Sequence, residues 1–264
     1  MKNSRILGWF LVAILLLTSP FCRAEQNRVL VYTRNGPTLD GKKGFVHDNI
    51  AACVAALQQL GKENQFTVDV SADPGVFTAK NVKKYKALIF ANANNQAFAT
   101  EAQRAAFTNY LHQGGGYVGI HSSTGCERNW PWFWAMQGGA FWFHAPLQKF
   151  TINITDKTHP ATSFFTADTW AWEDEFYVMK EQPKNVRVLL AGNIKLLKLP
   201  ETTAKHLSNL PDSIPLAWCH EFEGGRVFYT SLGHKKEYYS DPNLQKHILG
   251  GILWAMGADK KETK

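Results

Sequence analysis

The sequence has few cysteines, no long run of one charge, and no apolar stretch of membrane-spanning length after its first residues. It contains 4 cysteines in 264 residues, and only Cys53, Cys126 and Cys219 lie beyond residue 24. Because three cysteines are an odd number and they are widely spaced, the sequence does not indicate a disulfide framework and allows at most one bridge. The sequence leaves open whether Cys126 pairs with Cys219.

The absence of clustered cations argues against nucleic acid as a partner. The chain has 29 basic and 22 acidic residues, a formal net charge of +7. Lys2, Arg5 and Arg23 lie in the first 24 residues, so the rest of the chain carries 26 basic against 22 acidic residues, or +4. These cations are scattered and form no stripe of the kind that follows a phosphate backbone.

The first residues have the pattern of a secretory signal peptide. Met1 to Arg5 is basic, Ile6 to Leu17 is almost wholly apolar, and a small residue follows at Ala24. The apolar run is shorter than the roughly 20 residues that a membrane span needs. We therefore expect a signal peptide over 1–24 and a single domain over 25–264, secreted or periplasmic and without membrane association after cleavage. An uncleaved amino-terminal anchor is the alternative.

The rest of the chain alternates between short apolar runs and amphipathic helical patterns. Arg28 to Thr33 is a β-branched run, Asp48 is a candidate helix cap, and Thr100 is the candidate cap of a helix over Ala99 to Leu111. Such alternation predicts an α/β fold with a mostly parallel sheet and helices on both faces. The carboxyl-terminal half adds β-rich segments before a last helix, Pro242 to Met256.

The segment from Gly114 to Ser123 predicts a strand that ends in a tight turn and projects His121. In α/β folds such a turn presents a reactive group at the carboxyl edge of the sheet. His47 and His234 also follow predicted strands or their connections, so the three side chains could meet at that edge. Neutral imidazoles with one carboxylate suit Zn, Mn, Fe or Ni, and an open coordination position would make such a site catalytic.

A crowded aromatic segment follows this turn. Its members are Trp130, Trp132, Trp134, Phe141, Trp142 and Phe143. One interpretation is a layer that covers one end of the sheet, since aromatic side chains dominate core packing. The other is a platform that stacks on a sugar ring, and the sequence leaves both open.

Other chemistries have weaker support. Cys126 is the only candidate thiol nucleophile, but it lies several residues beyond the turn, and a nucleophilic thiol needs a positioned base and a lowered pKa. Cys53 fits a buried helix position. Gly114 to Gly116 precedes its strand and lacks the order of a dinucleotide site, so no nucleotide cofactor is expected.

An ordered set of blocks resembles the ThuA-like (trehalose utilisation) family. The blocks are Phe45–His47, Gly114–His121, His159–Pro160, Asp174–Tyr177 and Gly225–His234. The resemblance extends from about Arg28 to Gly257. It implies a flavodoxin-like fold related to class I glutamine amidotransferases, here with a β-rich carboxyl-terminal extension. It also implies a role in carbohydrate metabolism, especially of trehalose and related 3-keto sugars.

Amidotransferases of that fold carry a cysteine at the position of His121, so glutamine hydrolysis is not expected. Our leading hypothesis is an enzyme acting on an oxidised sugar. A metal polarises a ketone and an adjacent hydroxyl while a base removes the intervening carbon-bound proton. The resulting enediolate isomerises or eliminates a glycosidic substituent. The predicted metal ligands are His47, His121, Glu175 and His234; the predicted catalytic residues are His121, Glu175 and Asp174; the predicted substrate-binding residues are His144, Tyr177, Trp132 and Trp142.

The sequence leaves open two other functions for the protein and two roles for Asp174. A non-catalytic carbohydrate-binding or accessory module would use the same side chains to hold a glycan, and a metal-dependent hydrolase would act on sugar esters or amides. Asp174 is either a second carboxylate or a partner that orients a histidine. In each case the expected partner is a small carbohydrate.

Overall fold

The computed structural model describes residues 27–258, except for the side chain of residue 209. These residues are built around a nine-stranded sheet of order β2-β1-β3-β4-β9-β8-β7-β5-β6. The strands are β1 (Arg28–Tyr32), β2 (Thr67–Ser71), β3 (Ala87–Ala91), β4 (Gly116–Ile120), β5 (Phe141–Ile154), β6 (Thr169–Met179), β7 (Arg187–Asn193), β8 (Ser213–Phe222) and β9 (Gly225–Thr230). The helices are α1 (Ile50–Glu63), α2 (Ala79–Val82), α3 (Glu101–His112), α4 (Pro131–Gln137), α5 (Glu201–Ala204) and α6 (Pro242–Ala255). The predicted leader, 1–24, lies outside the described residues.

The sheet is parallel on one side and antiparallel on the other. The neighbouring pairs from β2 through β1, β3 and β4 to β9 are parallel. The pairs from β9 through β8, β7 and β5 to β6 are antiparallel. The α/β prediction is confirmed, but the parallel expectation holds only for the first half. Glu223 and Gly224, both with positive φ, connect β8 to β9, and so short a connection can join only antiparallel strands.

Helices cover both faces of the sheet, as predicted. Alternate residues of β1 fall in two separate apolar clusters, Val29 and Val31 in one and Leu30 and Tyr32 in the other. This follows from the two-residue period of a strand. Buried residues of α1 and α6 belong to the first cluster, and those of α3 and α4 to the second. No helix within residues 27–258 has both the length and the apolar character that crossing a bilayer requires.

Two helix N-caps were predicted from the sequence, and the structure confirms one of them. Thr100 caps α3 in a complete capping box with Gln103, which confirms that prediction. The predicted cap of α1 was wrong by one residue, because Asn49 and not Asp48 occupies the N-cap position. Asn49 makes no capping hydrogen bond, because its side-chain oxygen has no partner among the described residues and its NH₂ group donates elsewhere in the fold.

A buried ion pair fixes the segment between β4 and α4. The fully buried carboxylate of Glu127 accepts hydrogen bonds from the backbone amides of Ala97 and Phe98 at 2.8 and 3.1 Å. Arg104 donates to its other oxygen at 2.6 Å. The same Arg104 also pairs with Glu101, whose side chain is 85% exposed.

We expect Glu127→Ala to lower the free energy of unfolding by about 3–5 kcal/mol, because it removes the buried carboxylate from a largely buried guanidinium and leaves two backbone amides without a partner. Glu101→Ala removes the exposed partner of the same arginine and should cost less than about 1 kcal/mol. Urea unfolding of both variants measures the difference. Equal losses for the two would contradict the assignment.

Candidate metal centre

His121 lies at the carboxyl end of β4 in an unusual backbone conformation. Its φ is 52°, in the left-handed region, which costs a non-glycine residue about 1–3 kcal/mol and persists where the surroundings enforce it. The enforcing contacts are a hydrogen bond of 2.8 Å from the Tyr229 hydroxyl to its carbonyl and one of 2.7 Å between its Nδ1 and the Ser231 carbonyl. A carbonyl only accepts, so Nδ1 carries the proton and Nε2 presents a lone pair.

Three further predicted ligands surround that nitrogen. Glu175 Oε2 from β6 lies 3.6 Å from His121 Nε2 and 3.2 Å from Nδ1 of His234, which follows β9. His47 precedes α1, and its ring centroid is 4.8 Å from that of His121. One donor atom from each of the four residues lies within 4.8 Å of the others. The predicted ligand set is therefore brought together, and it could hold a metal ion.

Two of the three histidines are held in the neutral form that binds a divalent cation. Burial lowers the pKa of His47 to about 4 and holds that of His121 well below its ordinary value, so both imidazoles are neutral near pH 7. The hydrogen bond to Glu175 raises the pKa of His234. Neutral imidazole and ionised carboxylate are the forms that bind metals. His47 Nδ1 is buried with no hydrogen-bond partner among the described residues, a costly arrangement that a bound ion would relieve.

Two predicted substrate-binding residues border this cluster. The hydroxyl of Tyr177 is 3.1 Å from His121 Nε2, and its ring is almost fully buried. His144 Nδ1 lies 3.5 Å from Glu175 Oε1, and the side chain of His144 is 40% exposed. Tyr177 therefore forms part of the inner wall, whereas His144 stands at the solvent side.

The two predicted tryptophans are not at the cluster. Trp132 Nε1 donates to Glu223 at 3.0 Å, beside the turn where β9 begins. His234 follows the other end of that 6-residue strand, which spans about 20 Å. Trp142 packs on Phe143 and His206. Trp132 thus lies at the opposite end of the sheet from the histidines, and the ring contacts of Trp142 are to Phe143 and His206 and not to the cluster. Stacking of either ring on a sugar stays a prediction.

Asp174 faces away from the histidine nitrogens. Its carboxylate accepts hydrogen bonds from the backbone amides of Gly233 and His234 at 2.8 and 3.3 Å and from the indole of Trp172 at 3.0 Å. Burial raises its pKa to about 6. These contacts favour the second interpretation of Asp174, a partner that orients His234 through its backbone.

Asn49 is a residue of this site that sequence reasoning missed. Its buried amide donates to the carbonyls of Gly233 and His234, both at 2.7 Å, and to Asn92 Oδ1 at 3.0 Å. Asn49 binds the carbonyls, and Asp174 the amides, of Gly233 and His234, which we call the His234 loop. A polar residue at a helix start is explained by capping alone, so no local pattern indicates this second use.

The cysteines do not contribute to the cluster. No disulfide joins Cys126 to Cys219, which answers the question that the sequence left open. Burial raises the pKa of the Cys126 thiol well above its ordinary value, so it lacks the thiolate character of a nucleophile.

A large cleft lies away from this cluster. It has a volume of about 510 Å³ and is lined by Trp134, Lys180, His220 and their neighbours. Its wall includes Phe222 at the end of β8, so it opens at the end of the sheet opposite His121. Size alone would place a site there, but that cleft contains none of the four clustered ligands.

Solved structures share this fold. A ThuA-like protein from Bacteroides uniformis is 21% identical with a TM-score of 0.68, covering 90% of this chain and 94% of that one. A ThuA-like protein from Parabacteroides merdae is 19% identical with a TM-score of 0.66, covering 90% and 92%. A β-galactosidase from Bacillus circulans sp. alkalophilus is 12% identical with a TM-score of 0.51, covering 89% of this chain but 31% of that chain. At these identities the structures show a common fold alone.

Sequence comparison gives the family. No curated protein sequence matches this chain. The model of the ThuA family, described as trehalose utilisation, matches residues 28–255. This range contains every block on which the resemblance rested and all four clustered ligands. The protein therefore belongs to the ThuA-like family of trehalose utilisation proteins, which indicates a role in sugar metabolism.

Proposed function

We propose that this protein is a metal-dependent enzyme of sugar metabolism that acts on trehalose-related or 3-keto glycosides by proton abstraction, followed by isomerisation or glycosidic cleavage. The observation that carries the proposal is the set of four donor atoms, from four separate parts of the chain, that lie within 4.8 Å of one another. Family membership supplies the sugar. The ligand set favours an enzyme over a non-catalytic carbohydrate-binding module.

The residues fit a divalent transition metal such as Zn, Mn, Fe or Ni. Three imidazoles and one carboxylate form a borderline donor set, and the Ser231 carbonyl fixes the tautomer of His121 as outer partners of metal ligands do. His47, His121, Glu175 and His234 would hold the ion. When bound, it would supply Lewis-acid polarisation of a sugar carbonyl and the adjacent hydroxyl.

The chain's own residues would carry the proton. Glu175 turns Oε2 toward the histidines and Oε1 toward His144 on the solvent side. We propose that Oε1 takes the carbon-bound proton beside the carbonyl. In isomerisation the proton then returns to the former carbonyl carbon while the adjacent hydroxyl becomes the new ketone. In cleavage the electron pair that it leaves expels the glycosidic substituent, and the oxygen of that substituent takes the proton from Glu175. Tyr177 and His144 would bind sugar hydroxyls, and the buried His47 and Tyr177 would keep water from the inner wall.

Elemental mass spectrometry of protein purified without chelators tests the proposal, together with an assay on 3-keto-trehalose. We expect close to one transition-metal ion per chain and a metal-dependent change of the sugar. A protein without metal that binds trehalose and leaves it unchanged would support a carbohydrate-binding module instead. Turnover of sugar esters or amides with no action on keto sugars would support a metal-dependent hydrolase.

The hydrogen bonds from Asn49 to the carbonyls of Gly233 and His234 give a further prediction. We expect Asn49→Ala to weaken metal binding by about 10–100-fold, the usual effect of losing an outer partner of a ligand. Asn64→Ala is the matched control, since Asn64 donates its amide to the Leu60 carbonyl at the other end of α1. Competition with a chromophoric chelator measures both affinities. Equal affinities in the two variants would show that Asn49 does not position His234.

Two sequence predictions are also proposed for the whole protein. The parallel order β2-β1-β3-β4 supports a flavodoxin-like fold, with the strands of the carboxyl-terminal half as its extension. The leader pattern supports export to the periplasm or the medium after cleavage near Ala24. Amino-terminal sequencing of the protein from its native cells tests export.

A further inference from the structure

Exposed apolar side chains concentrate on one loop beside the histidine cluster. Among the described residues the large exposed ones are Leu39, Phe45, Val46, Val70, Trp142, Leu147 and Leu196. Three of these seven lie between residues 37 and 46, directly before His47. Scattered apolar residues on a surface need no explanation, but a group beside a candidate site points to a ligand or a partner.

This loop is held in place at both ends. A Cβ atom on Gly36 would lie 2.0 Å from the Gln96 carbonyl oxygen, and one on Gly44 would lie 1.9 Å from the Asn95 amide. Such close approach of the backbone is open only to glycine. An isolated β-bridge between Asn35 and Asn94 adds a further anchor. The exposure of Phe45 is therefore a fixed feature of the fold.

Phe45 is the exposed ring that contacts the cluster. Its centroid lies 4.8 Å from that of the His47 imidazole, with the two planes at 85°. The residue is 63% exposed, so much of its aromatic surface faces solvent next to a predicted metal ligand. The rings of Trp132 and Trp142 contact other side chains, such as Phe222 and His206, and not the four clustered residues.

We propose that Phe45 is the aromatic platform on which the sugar ring of the substrate stacks, with Leu39 and Val46 extending the apolar rim toward a second ring. This inference rests on the proposed function. The C–H face of a pyranose is apolar and packs on an aromatic face, and a ring seated on Phe45 lies beside His47. Three side chains are too few for a protein interface, which buries about 800 Å² per partner.

Calorimetric titration with trehalose and 3-keto-trehalose tests this assignment on the full protein, with metal content measured in parallel. We expect Phe45→Ala to weaken binding about tenfold, in line with the energy of an aromatic contact, while its metal content equals that of the wild type. Phe45→Trp should bind within about threefold of the wild type, because it restores an aromatic face. Leu196→Ala, at a residue that is 81% exposed, is the control and should not change binding.

Several results would overturn the assignment. Unchanged binding by Phe45→Ala, an equal loss in Leu196→Ala, or loss of metal from Phe45→Ala would each remove the platform role. Failure of the wild type to bind either sugar would do the same. The proposed function fails separately: a metal-free wild type whose sugar binding depends on Phe45 keeps this inference, whereas a metal-loaded enzyme indifferent to Phe45→Ala keeps only the proposed function.

Discussion

Replacing His121 by alanine is expected to remove the bound metal and to lower kcat/KM by on the order of 10³-fold, since a Lewis acid supplies several kcal/mol of charge stabilisation and each 1.36 kcal/mol is tenfold. The lone-pair nitrogen of His121, Nε2, lies 3.6, 3.3 and 3.1 Å from polar atoms of Glu175, His234 and Tyr177. Metal content by mass spectrometry and turnover of 3-keto-trehalose are the two measurements.

The fold should survive this change. His121→Ala loses the hydrogen bond to the Ser231 carbonyl, which contributes about 1 kcal/mol. Because alanine keeps the strained left-handed backbone, His121→Asn is a useful second variant, since asparagine tolerates that conformation better. His112→Ala is the control: His112 pairs with Glu223 on the surface and should leave metal and turnover unchanged. A folded His121→Ala protein that keeps its metal would contradict the assignment of the site.

Glu175→Gln is expected to have a comparable effect, on the order of 10³-fold in kcat, because it removes both the only carboxylate of the cluster and the proposed proton acceptor. The amide has nearly the volume of the carboxylate, so packing in β6 is preserved. The ionised oxygen that contacts His234 at 3.2 Å is lost. Metal affinity and turnover are measured over a range of added metal.

The two roles of Glu175 separate at high metal concentration. If Glu175 is a ligand and also the proton acceptor, saturating metal restores occupancy but not turnover. Full recovery of turnover would contradict the acceptor role and leave Glu175 as a ligand only. Glu221→Gln is the matched control, since its side chain is 74% exposed and lies at the opposite end of the sheet.

Local sequence patterns are enough to predict the α/β alternation, the capped helix α3 and the position of His121 after a strand. These features depend on local patterns: apolar runs form buried strands, Thr100 and Gln103 satisfy the first amides of a helix, and a glycine-rich strand that ends at a tight turn presents the next side chain. Two of the four predicted ligands came together because the carboxyl ends of neighbouring parallel strands share one edge, whereas Glu175 comes from β6 in the antiparallel half of the sheet. His121 after β4 and His234 after β9 meet for that reason.

Only the tertiary structure decided which other residues accompany the cluster. Asn49 contacts a carbonyl 184 residues away, and no local pattern encodes such a pairing. Trp132 and Trp142 are aromatic residues of the kind that stack on sugars, but the structure gives Trp132 a hydrogen bond to Glu223 and Trp142 ring contacts with Phe143 and His206, and neither ring contacts the cluster. Phe45, an ordinary exposed residue in sequence, stands beside His47 because Gly36 and Gly44 pin its loop against residues 95 and 96. Side-chain direction and long-range contacts depend on how the elements pack, and the periodicity of a sequence does not specify them.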